Sequence, residues 1–286
     1  MKISVEIVNA FIDGDVGGNL AGVVFDADNL SSEQKLQVAK LVGLSETAFI
    51  SQSSIATVKL EFFTPERQIP HCGHATIAVF SRLSELGKIS NGRMSKETID
   101  GIREIIVNGD MAYMEQLAPK YSVIKDFEAI RLSLNLLDDF DLKSARIVDT
   151  GNAFLLIPFQ NSTAVAAVQP EYSAIQKISK QYNLIGYYIF SMETAFQHRD
   201  AGTRMFAPRY GILEESATGM AAGPLACLLR DHFKVDKDHF EIEQGRLMHP
   251  PSPSLIKVDL NLIEGNITSL MVGGKGKLTN ILEVDI

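Results

Sequence analysis

The chain has 286 residues, 45% of them hydrophobic and 22% charged, an ordinary balance for a globular protein. That length suits two domains of about 140 residues each. A formal net charge of -8 argues against a nucleic-acid or anionic-membrane partner. No apolar stretch reaches the roughly 18 residues a membrane span needs. MKISVEIVNAF at the start has the pattern of a strand rather than a signal peptide, so a cytoplasmic protein is expected. The two cysteines, Cys72 and Cys227, fit a reducing compartment without a disulfide framework or zinc site.

Alternation of Ile3, Val5 and Ile7 with polar residues predicts a strand over 2–11, followed by a Gly- and Asp-rich turn from Asp13 to Gly18. A strand at Ala21 to Phe25 leads to a helix that opens on the capping-box pair Ser31 and Gln34 and stops at Gly43. Leu44 to Ile50 forms a short strand with Glu46 near its start, and Val58 to Phe63 another. The run Cys72-Gly73-His74-Ala75-Thr76 then begins a helix that is apolar on nearly every face, and hence buried. Its free N–H groups and positive dipole end emerge where Gly73 lets a ligand approach the backbone, a place suited to a carboxylate or phosphate.

The polar segment from Asn91 to Gly101 is expected to be an exposed loop, and Asn108-Gly109 to turn a hairpin between Ile102–Val107 and Met111–Gln116. Pro119 to Lys125 is the expected domain boundary, giving domains 1–120 and 121–286, with the last strand able to pack back on the first domain. Further on come a helix around Glu128 to Leu136, strands at Ala145–Val148 and Phe154–Pro158, a helix from Pro170 to Tyr182 and a strand from Gly186 to Met192. A second buried helix opens at Ala217-Thr218-Gly219-Met220, with Pro224 in an early turn. Three strands follow, at Leu255–Leu260, Ile267–Val272 and Leu278–Val284, with Gly273-Gly274-Lys275-Gly276-Lys277 as a hairpin turn. The two helix starts, and the pairs Gly18-Asn19 and Gly151-Asn152, look like equivalent positions in two copies of one unit, chance similarity being the alternative. Many short strands with one buried helix per half predict an α+β protein with a sheet wrapped around each helix.

In order along the chain, Gly18-Asn19 with Ala21-Gly22-Val23-Val24, Leu44-Ser45-Glu46-Thr47-Ala48-Phe49, Phe63-Thr64-Pro65, Cys72-Gly73-His74-Ala75-Thr76, Arg204-Met205-Phe206-Ala207-Pro208, Ala217-Thr218-Gly219 and Glu243-Gln244-Gly245 resemble the PhzF, or phenazine biosynthesis-like, family, whose fold is that of diaminopimelate epimerase. The resemblance implies two pseudo-symmetric domains, each a β-roll around a central helix, with a small carboxylate-bearing metabolite in the cleft between them. It further implies a homodimer and a cofactor-independent isomerase or epimerase that shifts a proton.

Shifting hydrogen between carbons needs a base and then an acid, and one carboxyl among Leu44, Ala48 and Phe49 can serve as both, which makes Glu46 the expected catalytic group. A surface glutamate is the bland alternative. His74 would bind a substrate oxygen or relay a proton, or else cap its helix. Glu215 would position or relay; backbone at Gly73 and Gly219 would hold the acid group, Thr218 would add a hydroxyl to that cradle or else cap its helix, and Asn19, Ser45, Ala75 and Met220 are the further expected substrate-binding positions.

Two departures stand out. Glu215-Ser216 replaces the family's usual Asp-Pro, and a carboxylate one methylene further out can be misplaced by about 1 Å, on the order of a hundredfold in rate. Met220 replaces a common small hydroxyl residue, which points to a changed substrate or, more harshly, to lost activity. Cys72 matches one of the two catalytic thiols of diaminopimelate epimerase, and at a helix N-terminus its thiolate would be favoured. The partner position is Thr218, and Cys227 belongs to the core, so a two-thiol racemase is not expected and one-base chemistry through Cys72 is a minor alternative. The six histidines show no ligand spacing, so no metal is expected. A non-catalytic small-acid binding protein is the alternative from a different class.

Overall fold

The computed structural model describes residues 1–137 and 140–286. The chain divides into two compact units, Met1–Glu115 with Gly273–Ile286, and Gln116–Val272. It is a strand-rich α+β fold with few helices.

The first unit contains β1 (Lys2–Ala10), β2 (Asn19–Val24), α1 (Ser32–Val42), β3 (Thr47–Ser51), β4 (Val58–Phe63), β5 (Gln68–Ile69), α2 (Gly73–Glu85), β6 (Gly92–Thr98), β7 (Gly101–Asn108) and most of β8 (Met111–Leu117). Antiparallel pairs β1/β2, β3/β4, β6/β7 and β7/β8 alternate with the parallel pairs β2/β3 and β4/β6. Parallel neighbours need a crossover, which α1 supplies between β2 and β3, and α2 between β4 and β6. The capping box at α1 is present: Gln34 N–H donates to Ser31 Oγ, and Ser31 N–H to Gln34 Oε1. α1 closes Val38 and Ala39 onto Val5, Ile7, Phe49 and Phe63. α2 buries every residue from Gly73 to Ser81, so its apolar circumference reflects burial on all sides.

The second unit contains β9 (Lys120–Ser122), α3 (Phe127–Ser133), β10 (Arg146–Asp149), β11 (Ala153–Pro158), α4 (Ser162–Ala167), α5 (Tyr172–Gln181), β12 (Gly186–Ser191), β13 (Ala201–Ala207), β14 (Ile212–Glu215), α6 (Gly219–Asp231), β15 (His239–Gln244) and β16 (Ser254–Ile263). Its strands pair in the order β9-β10-β11-β12-β13-β15-β16, with β14 also on β13. Ile130, Leu155, Ile157, Ile175, Tyr187 and Phe206 pack one core against the sheet. α6 is buried from Ala221 to Leu229, with Cys227 fully enclosed as expected.

Three local expectations fail for identifiable reasons. The predicted loop at Asn91 to Gly101 is mostly β6, whose inward positions include Lys96 and Thr98; polar residues facing inward erase the apolar alternation by which a strand is recognised. The glycines at 273–277 form no hairpin, because β17 (Asn266–Asp285) runs straight through them and pairs with β1 from Lys2↔Asp285 to Ala10↔Gly276. They serve close approach instead: a Cβ on Gly273 would lie 2.3 Å from the Ala112 carbonyl oxygen, and one on Gly276 2.7 Å from Ser81 Cβ. Pro224 lies inside α6 rather than in its first turn, where it removes a helical N–H from a segment shielded by packing.

Candidate active site

Glu46 sits between the left-handed cap Gly43 of α1 and the first residue of β3. Its carbonyl accepts the Gly22 N–H at 3.1 Å, which ties it to β2. Cys72 is the N-cap of α2, with extended backbone and no side-chain cap bond, and His74 lies in the first turn. The fold brings these three side chains together and buries them, at 7%, 4% and 5% exposure for Glu46, Cys72 and His74. His74 Nε2 stands 3.3 Å from Glu46 Oε2, and Cys72 Sγ 3.6 Å from His74 Nδ1. The carboxylate and imidazole are within ion-pair range but not aligned as a hydrogen bond, and Glu46 Oε2 is buried without a hydrogen-bond partner among the described residues. A buried acceptor left unsatisfied is costly, and active sites are where that cost is tolerated.

Burial pushes the Cys72 thiol up, outweighing the favourable field of His74; Glu46 pushes the same way as burial. The thiolate expected from the helix end alone is therefore opposed by its surroundings. Glu46, Cys72 and His74 each offer a donor atom within 4.8 Å of one another, a grouping that their spacing along the chain conceals. It has the composition of a metal donor set, but the helix N-terminus beside it carries a positive field, which suits an anion better than a cation. Gly73 and Ala75 are buried in the same turn, Asn19 lies nearly buried at the head of β2, and Ser45 is exposed.

In the second unit Glu215 ends β14 and Thr218 is the N-cap of α6. The Thr218 hydroxyl does not cap its helix; it donates to Glu215 Oε2. Gln244 organises this pair, a role its sequence motif does not announce. Its Oε1 accepts the Thr218 N–H at 3.0 Å and the Tyr188 hydroxyl at 2.9 Å, while its Nε2 donates to the Glu215 carbonyl at 2.7 Å and Thr218 Oγ1 at 3.0 Å. Gln116 Nε2 donates to the Gly219 carbonyl at 3.0 Å, and the Thr150 hydroxyl holds Gln116 Oε1 at 2.7 Å. The Met220 sulfur accepts from Asn152 Nδ2 at 3.5 Å, so the residue in the hydroxyl's place still meets a polar neighbour. Arg204 is spent on structure, paired with Glu214 and donating to the carbonyls that end α4.

In this strand-rich α+β chain a buried carboxylate and histidine thus meet at the uncapped start of a core helix. The family described as phenazine biosynthesis-like protein matches residues 8–279, and the chain belongs to that family. It is 34% identical over 248 residues to the uncharacterized isomerase YddE of Escherichia coli strain K12, covering 83% of this chain and 82% of that protein. It is 29% identical over 279 residues to trans-2,3-dihydro-3-hydroxyanthranilate isomerase of Pseudomonas chlororaphis, covering 94% and 95% of the two chains. The crystal structure of the Bacillus anthracis phenazine biosynthesis protein of the PhzF family matches with a TM-score of 0.91 at 25% identity, over 100% of both chains. The chain is accordingly an isomerase. No described helix is long and apolar enough to cross a membrane.

Proposed function

We propose that the protein shifts a proton within a small carboxylate-bearing metabolite without a cofactor, Glu46 serving as base and then acid. The observation that carries this reading is the buried, unsatisfied Glu46 Oε2 3.3 Å from His74 Nε2. A carboxylate with no protein donor on that oxygen is free to take a proton from carbon, and His74 is near enough to relay it or steady the charge. In the first unit the N–H groups of Gly73 and Ala75 at the start of α2 hold the acid group, and in the second the start of α6, at Gly219 and Met220, offers the same kind of anion-binding turn. Asn19 and Ser45 complete the polar contacts on the first unit, and the two units are copies of one β-roll. The working form is a cytoplasmic homodimer.

Glu215 is the residue where a second role has support. Its Oε2 already takes the Thr218 hydroxyl, which favours a part in shaping the start of α6 over proton relay. If that loss of relay is complete, the protein binds a small acid without turning it over.

The relative that isomerises trans-2,3-dihydro-3-hydroxyanthranilate makes that acid the first compound to try. Deuterium wash-in from heavy water, read by mass spectrometry over a pool of small amino, hydroxy and cyclic acids, tests the reading with wild type beside Glu46→Gln. Incorporation that the variant loses supports it; binding without incorporation by wild type overturns it in favour of the binding protein.

A further inference from the structure

Lys96 on β6 is fully buried, and its ammonium meets no carboxylate among the described residues. Its three donors fall on three uncharged acceptors: Thr76 Oγ1 at 2.7 Å, His71 Nδ1 at 3.3 Å and the Met114 sulfur at 3.6 Å. The face of Phe62 lies 5.3 Å away. His71 is half-buried, and its pKa is held well below the ordinary value by desolvation first and by the Lys96 charge second, so it accepts rather than competes as a cation. A buried cation paired only with neutral groups is expensive for the fold. Burial likewise lowers Lys96, to about 7; Cys72 and Asp100 oppose that shift and Arg103 adds to it.

The contact with Thr76 has a direction. Thr76 Oγ1 accepts from Lys96 and donates its own proton to the Cys72 carbonyl oxygen at 2.6 Å. That carbonyl belongs to the peptide unit whose N–H is Gly73, the first amide of α2. Charge on Lys96 therefore polarises, through one hydroxyl and one peptide group, a donor at the positive end of the helix dipole. Beside the same turn lies the buried, unsatisfied Glu46 Oε2, the mark of a site that receives a ligand.

We propose that Lys96 is a positioning residue of an anion site at the first turn of α2, charging the Gly73 amide through Thr76 and taking a ligand carboxylate as its distant counterion. This rests on the reading that α2 holds the acid group of the substrate. Lys96 does not touch the ligand; its effect is electrostatic. Across one hydroxyl and one peptide group, at an effective dielectric of about 20, such a charge is worth roughly tenfold in binding.

The test compares anthranilate, an unreactive amino-carboxylate, with its uncharged amide anthranilamide by calorimetry and by the amide resonances of Gly73, His74 and Ala75. Wild type should prefer anthranilate, and Lys96→Met should lose about tenfold of that preference while its anthranilamide affinity stays within about twofold. Lys96→Arg should recover part of it, and Thr76→Val should weaken it with the charge still present. A merely structural lysine would affect both ligands alike. Unchanged preference in Lys96→Met, with the three amides responding to anthranilate, overturns the Lys96 assignment alone. Amides that respond to neither ligand in wild type overturn the anion site itself, and the proposal with it.

Discussion

His74 Nε2 approaches Glu46 Oε2 to 3.3 Å across a contact shielded from solvent on both sides, yet the two are not joined by an aligned hydrogen bond. That combination of proximity and misalignment leaves the carboxylate oxygen available. Glu46→Gln keeps the shape and removes the base, so it should cut hydrogen exchange by about 10²–10⁴-fold with little change in ligand affinity. Comparing exchange rates with calorimetric binding checks this, and a proportional loss of both would place Glu46 in binding instead.

Cys72 should be unreactive in the native protein. Its thiol is buried and its pKa raised, and burial raises Cys227 as well. Iodoacetamide at pH 7.5 should modify neither cysteine until denaturant is added, as counted by intact mass. Rapid native alkylation of Cys72 would revive thiol chemistry.

Gln244 joins β15 to the start of α6 through bonds to Thr218, Glu215 and Tyr188. Gln244→Ala should destabilise the protein by about 2–4 kcal/mol, because several buried groups lose partners at once. Urea unfolding measures it, and a change below about 0.5 kcal/mol would mean that water replaces the side chain without loss.

Lys96 gives a stability signature whose sign follows from its lowered pKa. The unfolded state holds the proton up to about 10.5, the folded state only to about 7. Between these values unfolding takes up a proton, so this group's penalty on the fold is full below about pH 7 and shrinks as pH rises. Lys96→Met removes the penalty and should stabilise the protein by a few kcal/mol at pH 6, and by less at pH 9. Urea titrations at the two pH values check it; destabilisation at pH 6 would show that the three bonds of Lys96 outweigh its burial.

Gly273→Ala should cost more than about 2 kcal/mol, since the new methyl would overlap the Ala112 carbonyl. Thermal unfolding measures it, and an unchanged midpoint would show that β17 can move aside.

Periodicity, caps and turn residues act over a few neighbours, and they sufficed for the capped helix α1, for the Asn108-Gly109 turn between β7 and β8, and for the two buried helices that begin at Gly73 and Gly219. The order of short motifs likewise carried the family, which the match over residues 8–279 bears out. Tertiary structure alone decided which side chains meet. Glu46 and His74 lie on different elements, and only the β2/β3 pairing and the packing of α2 bring them together. Lys96 is polar in sequence and buried in space, and Gly273 has the composition of a turn yet lies in a long strand. In each case the deciding partner, whether His74, Thr76 or Ala112, is distant in the chain, and packing against a distant partner outweighs the local preference.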